Sequence, residues 1–111
     1  MYELVSVVFP FADDISKGKS RPGFVISPPQ GIHNQVIVAY VTTKLDERLE
    51  TDMLFDPGKN NFSQTGLKQK SLLKLHRLGT FQPQALKTGQ GALPKKCIPE
   101  LKKKLKKVFQ L

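Results

Sequence analysis

Glu3-Leu4-Val5-Ser6-Val7-Val8-Phe9 opens the chain as a valine-rich run alternating at period two. Gly23-Phe24-Val25-Ile26-Ser27 and Gln35-Val36-Ile37-Val38-Ala39-Tyr40-Val41-Thr42 repeat its character. Successive side chains of a strand point to opposite faces, and β-branched and aromatic residues suit that geometry, so three β segments precede residue 45. Pro28, Pro29 and Gly31 punctuate the second gap, and Pro57, Gly58, Asn60 and Asn61 mark a later loop. Residues 51–55 and 71–75 are further strand candidates. After Pro94 the period changes: Ile98, Leu101, Leu105, Val108 and Phe109 recur at helical spacing with lysines between them. That pattern predicts a C-terminal amphipathic helix whose apolar stripe packs inward. Many short strands and one terminal helix predict a mainly β fold, a small, partly open β-barrel with the helix laid across it.

A chain of 111 residues with 39% hydrophobic residues is expected to fold as one domain over 1–111, around one core. Its single cysteine, Cys97, excludes an intramolecular disulfide framework. One cysteine with two histidines does not make a usual structural zinc site, and no metal or other cofactor is expected. Packing is the expected role of Cys97. No stretch approaches the roughly 18 consecutive apolar residues of a membrane span, and the start lacks the basic region of a secretory signal. The expectation is a cytoplasmic protein with no membrane association. Eighteen Lys+Arg against nine Asp+Glu give a net charge of +9. The segment from Lys95 to Lys107 alone carries seven lysines against Glu100. Such a balance suits a polyanion or an acidic protein equally, and the lysine face of the helix reads as solvated, as an RNA-attracting patch or as a docking surface.

The polar excursion from Pro10 to Pro22 is too long for a tight hairpin and reads as a functional loop. Arg21 stands at its end, where the following proline holds it extended and helps aim a guanidinium whose planar fork suits a phosphate. The alternative is a surface arginine paired with Asp13 or Asp14. Thr42 and Thr43 place two hydroxyls where the third strand meets solvent, beside Arg21 if the strands are adjacent, although threonine is also simply a good strand residue. Lys74 and His76 alternate along one strand and should share a face, with Arg77 on the other. His76 has the titration range of a proton carrier or is a satisfied surface group; His33, in the Pro/Gly turn, ranks below it. Gly89-Gln90-Gly91 lacks the third glycine and strand-to-helix context of a nucleotide fingerprint, and Pro57-Gly58-Lys59 is not a phosphate loop.

Taken together, Val5-Ser6-Val7-Val8-Phe9-Pro10-Phe11, the segment from Ser16 to Pro22 and Gly23-Phe24-Val25-Ile26-Ser27 resemble the F-P-F…S-x-x-x-x-R-P-x-x-V-[IL]-S start of MazF/PemK toxins. Val36 to Thr42 is similar to their third strand. Thr65-Gly66-Leu67-Lys68-Gln69-Lys70-Ser71-Leu72-Leu73-Lys74-Leu75 is similar to their G-L-x-x-x-S-x-V-[RK] segment. The resemblance spans nearly the whole chain in order. It implies an SH3-like (CcdB/PemK-like) barrel, a homodimer, and a metal-independent endoribonuclease that cleaves single-stranded RNA and is neutralised by a cognate antitoxin. It maps the catalytic pair to Arg21 and Thr42, with Thr43 as the fallback. Lys17 and Lys19 would hold the RNA backbone, with Ser20, Thr43 and Lys74 as further RNA contacts. Two departures stand out. Tyr2-Glu3 replaces the family's customary Gly-Asp, and Lys74-Leu75-His76 stands where Kid/PemK toxins often present Arg-x-Asp, so that His76 would replace a carboxylate as proton carrier. Two rivals remain: a catalytically silent barrel that binds RNA or protein, and a gyrase-poisoning toxin of the CcdB branch, which depends on a C-terminal tryptophan that this chain lacks.

Overall fold

Apolar side chains on both faces of the first strands mean that the sheet must be covered on both sides. A computed structural model, describing residues 1–10, 19–59 and 61–111, shows how. Strands β1 (Leu4–Val7), β2 (Arg21–Val25), β3 (Val36–Thr42), β4 (Met53–Phe55) and β5 (Ser71–Phe81) form one antiparallel sheet in the order β1-β2-β3-β5-β4, and helix α1 spans Ile98–Phe109. One cluster gathers Leu4, Phe24, Ala39, Val41, Leu73 and Leu75 with Leu101 of α1; the other gathers Val5, Val7, Phe9, Val25, Val38 and Tyr40. Adjacent residues such as Leu4 and Val5 thus reach different cores. The sheet is open, and β1's outer edge is covered by the segment after β5: the Leu4 and Ser6 amides donate to the Gly91 and Lys87 carbonyls at 2.8 and 3.0 Å.

Strand boundaries differ from expectation, and β1 stops at Val7 rather than Phe9. β2 begins at Arg21, because Arg21 and Pro22 already pair with Val7 and Ser6, and it ends before Ile26 and Ser27. β4 is confined to Met53–Phe55. β5 runs six residues past Leu75, to Phe81, and His76, Arg77 and Gly79 hid that continuation. Its register explains the mixture: Ala39 opposes Leu78 but Tyr40 opposes Lys74, so Leu75, His76 and Arg77 are extra residues on β5. The strand bends there, and Lys74 and His76 do not share a face as expected: Lys74 is buried and His76 exposed. Arg77 instead lies over the Tyr40 ring, 4.7 Å from its centroid.

Helix α1 buries Leu101 and packs Ile98, Leu105 and Val108 against the first core. Phe109, one turn beyond Leu105 at the end of the helix, is not packed with them and stays 55% exposed. Cys97 packs at the core's margin, where burial pushes its thiol above the usual value and Glu100 adds to the shift. Tyr2, which replaces the family's customary glycine, has φ of 73°, a left-handed conformation glycine adopts without strain. Its ring packs on the first core and its amide donates to the Val25 carbonyl at 2.7 Å.

A buried ion pair ties these pieces together. Lys74 Nζ donates to Asp52 Oδ2 at 2.6 Å and to the Glu47 carbonyl at 3.2 Å, and the Leu49 amide donates to the same carboxylate oxygen at 2.8 Å. From α1, Lys104 Nζ donates to the Asp52 carbonyl at 2.5 Å. Asp52 is 0% exposed and Lys74 7%, so neither charge can turn to water if the other is lost. Breaking such a pair from one side typically costs about 3 to 5 kcal/mol, whereas replacing both partners by apolar residues is often neutral. Lys74→Met is therefore expected to lower unfolding free energy by about 3 to 5 kcal/mol in a urea titration, and Lys74→Met combined with Asp52→Leu to recover a large part of it. Equal losses in the single and double variants would show that the pair is not the clamp described.

Candidate active site

The ladder between β2 and β3 stops at Gly23 opposite Tyr40. Continuing its register would oppose Pro22 to Val41 and Arg21 to Thr42, yet those residues pair only outward, with β1 on one side and β5 on the other. Pro22 brings no N–H with which to extend the ladder. Gly23 is needed just before the strands part, because a Cβ there would lie 2.6 Å from Val38 Cγ1 and 2.7 Å from the Ala39 carbonyl oxygen. The splayed strands open a cleft of about 460 Å³.

Arg21, Thr42 and Thr43 line this cleft, together with Lys44 and Lys68. Among its described lining residues there are three cations, several hydroxyls and side-chain amides, and no carboxylate or histidine. That chemistry suits an anion with several oxygens, which a guanidinium fork and ammonium groups can hold by charge-assisted hydrogen bonds. Thr42 is half-buried, and its hydroxyl accepts from the Lys44 amide at 3.1 Å, so its own proton is the part it can offer a ligand. Tyr40 forms the floor, its ring held edge-on by Phe9 at 5.1 Å and covered by Arg77. Phe9, fully buried, also meets Phe81 at 5.4 Å.

The far wall is the turn Gly66 to Gln69 with Gln90. Gly66 has φ of 80°, and a Cβ there would fall on the Gln90 carbonyl. The backbones of the two segments therefore touch, and the Ala92 amide donates to Gln64 at 2.9 Å. Buried Thr65 sets the turn, its hydroxyl donating to the Phe62 carbonyl at 2.7 Å and accepting from the Leu67 amide at 3.0 Å. Gly89-Gln90-Gly91 thus serves a backbone contact.

The remaining sequence candidates lie elsewhere. Lys19 and Ser20 are exposed just ahead of β2 and are not among the lining residues. Lys17, Asp13 and Asp14 lie outside the described residues. Lys74, expected to contact RNA, is instead consumed by Asp52 beneath the sheet, and exposed His76 is not among the lining residues. His33 is exposed on the β2–β3 turn. Sequence reading missed Lys44 and Lys68. The adjacency of Lys44 to Thr43 was a usable signal for the first; for Lys68 the signal was Gly66, whose turn swings its neighbours into the cleft.

No helix among the described residues is long and apolar enough to cross a membrane. No curated protein sequence matches the chain. Solved structures do. The Mycobacterium tuberculosis toxin MazF-mt6 is similar over 96% of both chains, with 22% identity and a TM-score of 0.69. A MazE–MazF complex from Deinococcus radiodurans is similar over 99% of this chain and 93% of the other, with 15% identity and a TM-score of 0.70. An endoribonuclease from mycobacterial species, solved with its cognate antitoxin, is similar over 99% and 93%, with 12% identity and a TM-score of 0.69. These likenesses establish the fold. The sequence pattern of one family matches residues 2–109, and the chain accordingly belongs to the PemK-like, MazF-like toxins of type II toxin–antitoxin systems.

Proposed function

We propose that this toxin is a metal-independent endoribonuclease that cleaves single-stranded RNA such as mRNA, and that the cleft between β2 and β3 is its active site. The observation that carries this reading is the cleft's lining, with Arg21 opposite Thr42 among cations and without a carboxylate among its described residues. Attack of a ribose 2′-hydroxyl on the adjacent phosphate forms a 2′,3′-cyclic phosphate and breaks the bond to the 5′-oxygen, which leaves as a 5′-hydroxyl. The nucleophile belongs to the substrate, so the protein's task is to hold the phosphate and stabilise the charge that grows on it.

Arg21 serves that charge, a preorganised donor in a partly enclosed site. Thr42 donates its hydroxyl proton to a phosphoryl oxygen. The 2′-hydroxyl must lose a proton and the 5′-oxygen gain one, and Thr42 is a poor base because an unaided alcohol oxygen is only weakly basic. Arg21, which stays protonated, holds the phosphoryl oxygen that takes up the 2′-hydroxyl proton and passes it to the leaving 5′-oxygen, and His76 carries that proton only if the RNA path reaches the β5 bulge. Thr43, Lys44 and Lys68 hold the backbone, with Lys17, Lys19 and Ser20 contributing from the β1–β2 loop, so affinity falls with salt. The toxin acts in the cytoplasm as a homodimer. A cognate antitoxin, as in the MazE–MazF complex, would occupy the basic cleft with an acidic segment that folds on binding.

With long single-stranded RNA in EDTA, the protein is expected to release discrete fragments with 5′-hydroxyl ends. Arg21→Ala should lower kcat by roughly 100- to 1000-fold at unchanged melting temperature. Intact RNA in the presence of folded protein would end the catalytic reading and leave the silent barrel. Thr42→Val is expected to cost about 10- to 150-fold, the worth of one hydrogen bond to a charged group, while His76→Ala should stay within a few-fold of wild type; a His76→Ala loss as deep as that of Arg21→Ala would assign the proton shuttle to His76. Excess cognate antitoxin should abolish cleavage, and full activity in a stable complex would exclude occlusion of the cleft.

A further inference from the structure

Helix α1 carries two stripes of opposite chemistry. Ile98, Leu101, Leu105 and Val108 face the core. Residues four and seven apart also share a face, which places Lys102, Lys106 and Phe109 in a second line on the surface. Lys102 and Lys106 are exposed, and their ammonium groups have no ion pair or hydrogen bond among the described residues. Phe109 ends the line with 55% of its surface in water. Exposed Lys103 lies beside it, and exposed Lys95 and Lys96 precede the helix.

This arrangement works against the helix's own stability. Lys102 with Lys106, and Lys103 with Lys107, are like charges one turn apart, a destabilising spacing. The nearby carboxylates are spent on other lysines, Glu100 on Lys104 and Glu50 on Lys107. A lipid surface is a poor fit, because the apolar stripe it would need is already packed in the core. An acidic peptide would satisfy the lysines but meets the phenyl ring only where it carries an apolar side chain, whereas every base has a face to stack on it. Single-stranded nucleic acid uses both: lysines rooted about 6 Å apart along the helix axis meet successive phosphates, and an exposed aromatic face takes a base.

We propose that Lys102, Lys106 and Phe109 form a binding surface for single-stranded nucleic acid, distinct from the cleft, in which two phosphates and one stacked base are held along α1. Its ligand is defined by backbone charge and an unpaired base, and binding there does not depend on cleavage. The surface would raise the residence of an RNA strand on the toxin whichever sequence the cleft selects.

Fluorescence anisotropy of a labelled oligodeoxythymidylate, roughly 12 nucleotides long, tests this on the full chain, since a probe without 2′-hydroxyls is not consumed by the proposed cleavage. Replacing both lysines, Lys102→Gln with Lys106→Gln, should lower the slope of log Kd against log salt by about 1.4, two phosphate contacts at about 0.7 each. The melting temperature of that variant should hold or rise, because like charges are removed. Phe109→Ala should weaken binding by about 5- to 150-fold and leave the salt slope unchanged. Unchanged binding in both variants would overturn the proposal. So would a silent Phe109→Ala together with polyglutamate displacing the probe at the lysines, which would make the stripe an acidic-protein surface. Loss of cleavage activity in Arg21→Ala is read separately, so failure of the ribonuclease reading and failure of this one are told apart.

Discussion

Two charges buried together, Lys74 and Asp52, decide where three separate segments of this chain can lie. Lys74 comes from β5, Asp52 from the end of the loop after β3, and Lys104 reaches the Asp52 carbonyl from α1. A buried pair of this kind adds little net stability over an apolar pair, because desolvation offsets most of its attraction. Its effect is on arrangement: any packing that separates the two leaves a charge out of water without a partner. Glu47 and Leu49, bonded to the same pair through their backbones, hold the loop whose first residues, Thr43 and Lys44, line the cleft. Glu50 and Lys107 fasten its outer side, and the hydrogen bond from Lys107 holds the Glu50 carboxyl below the usual carboxylate range. Lys74, expected to contact RNA, therefore holds the loop whose first residues line the cleft.

The cleft itself is a ladder left unfinished. Most sheets extend pairing as far as both strands run, since each unpaired backbone group must find water or another partner. Here β2 and β3 each continue two residues beyond their last mutual pair, with proline in the gap and glycine immediately before it. Arg-Pro-Gly is thus one device. Glycine lets the strands meet closely, proline brings no donor to the next rung, and arginine stands at the mouth opposite the threonine that ends β3. Arg21 stays paired with Val7 on its β1 side, while on its β3 side it faces a cleft with hydroxyls along the other wall.

Much of this could be read without coordinates. Valine-rich runs announced β1 and β3, and the change from period two to helical spacing located α1, because both signals are local. The hidden features depend on partners distant in sequence. Lys74 and His76 were assigned one face because an uninterrupted strand alternates, and only the pairing with β3 shows that three extra residues intervene. Phe109 fitted the helical apolar pattern by residue type, but α1 meets the sheet with a stripe that ends at Val108. Arg21 and Thr42 were legible as candidates because each ends a strand next to a polar segment. Lys44 is legible only as the neighbour of Thr43, and the place of Lys68 depends on a turn whose backbone contact, Gly66 against Gln90, no periodicity encodes.

Charge distribution links the clamp to the cleft. Among the described acids, Asp52 holds Lys74, Glu50 holds Lys107, Glu100 holds Lys104, Asp56 meets Lys70 and Glu3 meets the N-terminal ammonium. Each neutralises a cation outside the cleft. These five acids therefore serve the scaffold, while Lys68 in the cleft and Lys102 and Lys106 on the helix carry no ion pair among the described residues. A net charge of +9 in so small a chain carries a cost in self-repulsion. Concentrating opposite charges at the structural joints limits that cost while leaving the field where a polyanion would arrive. On this view the basicity of the chain follows from where its few carboxylates are used as much as from its many lysines.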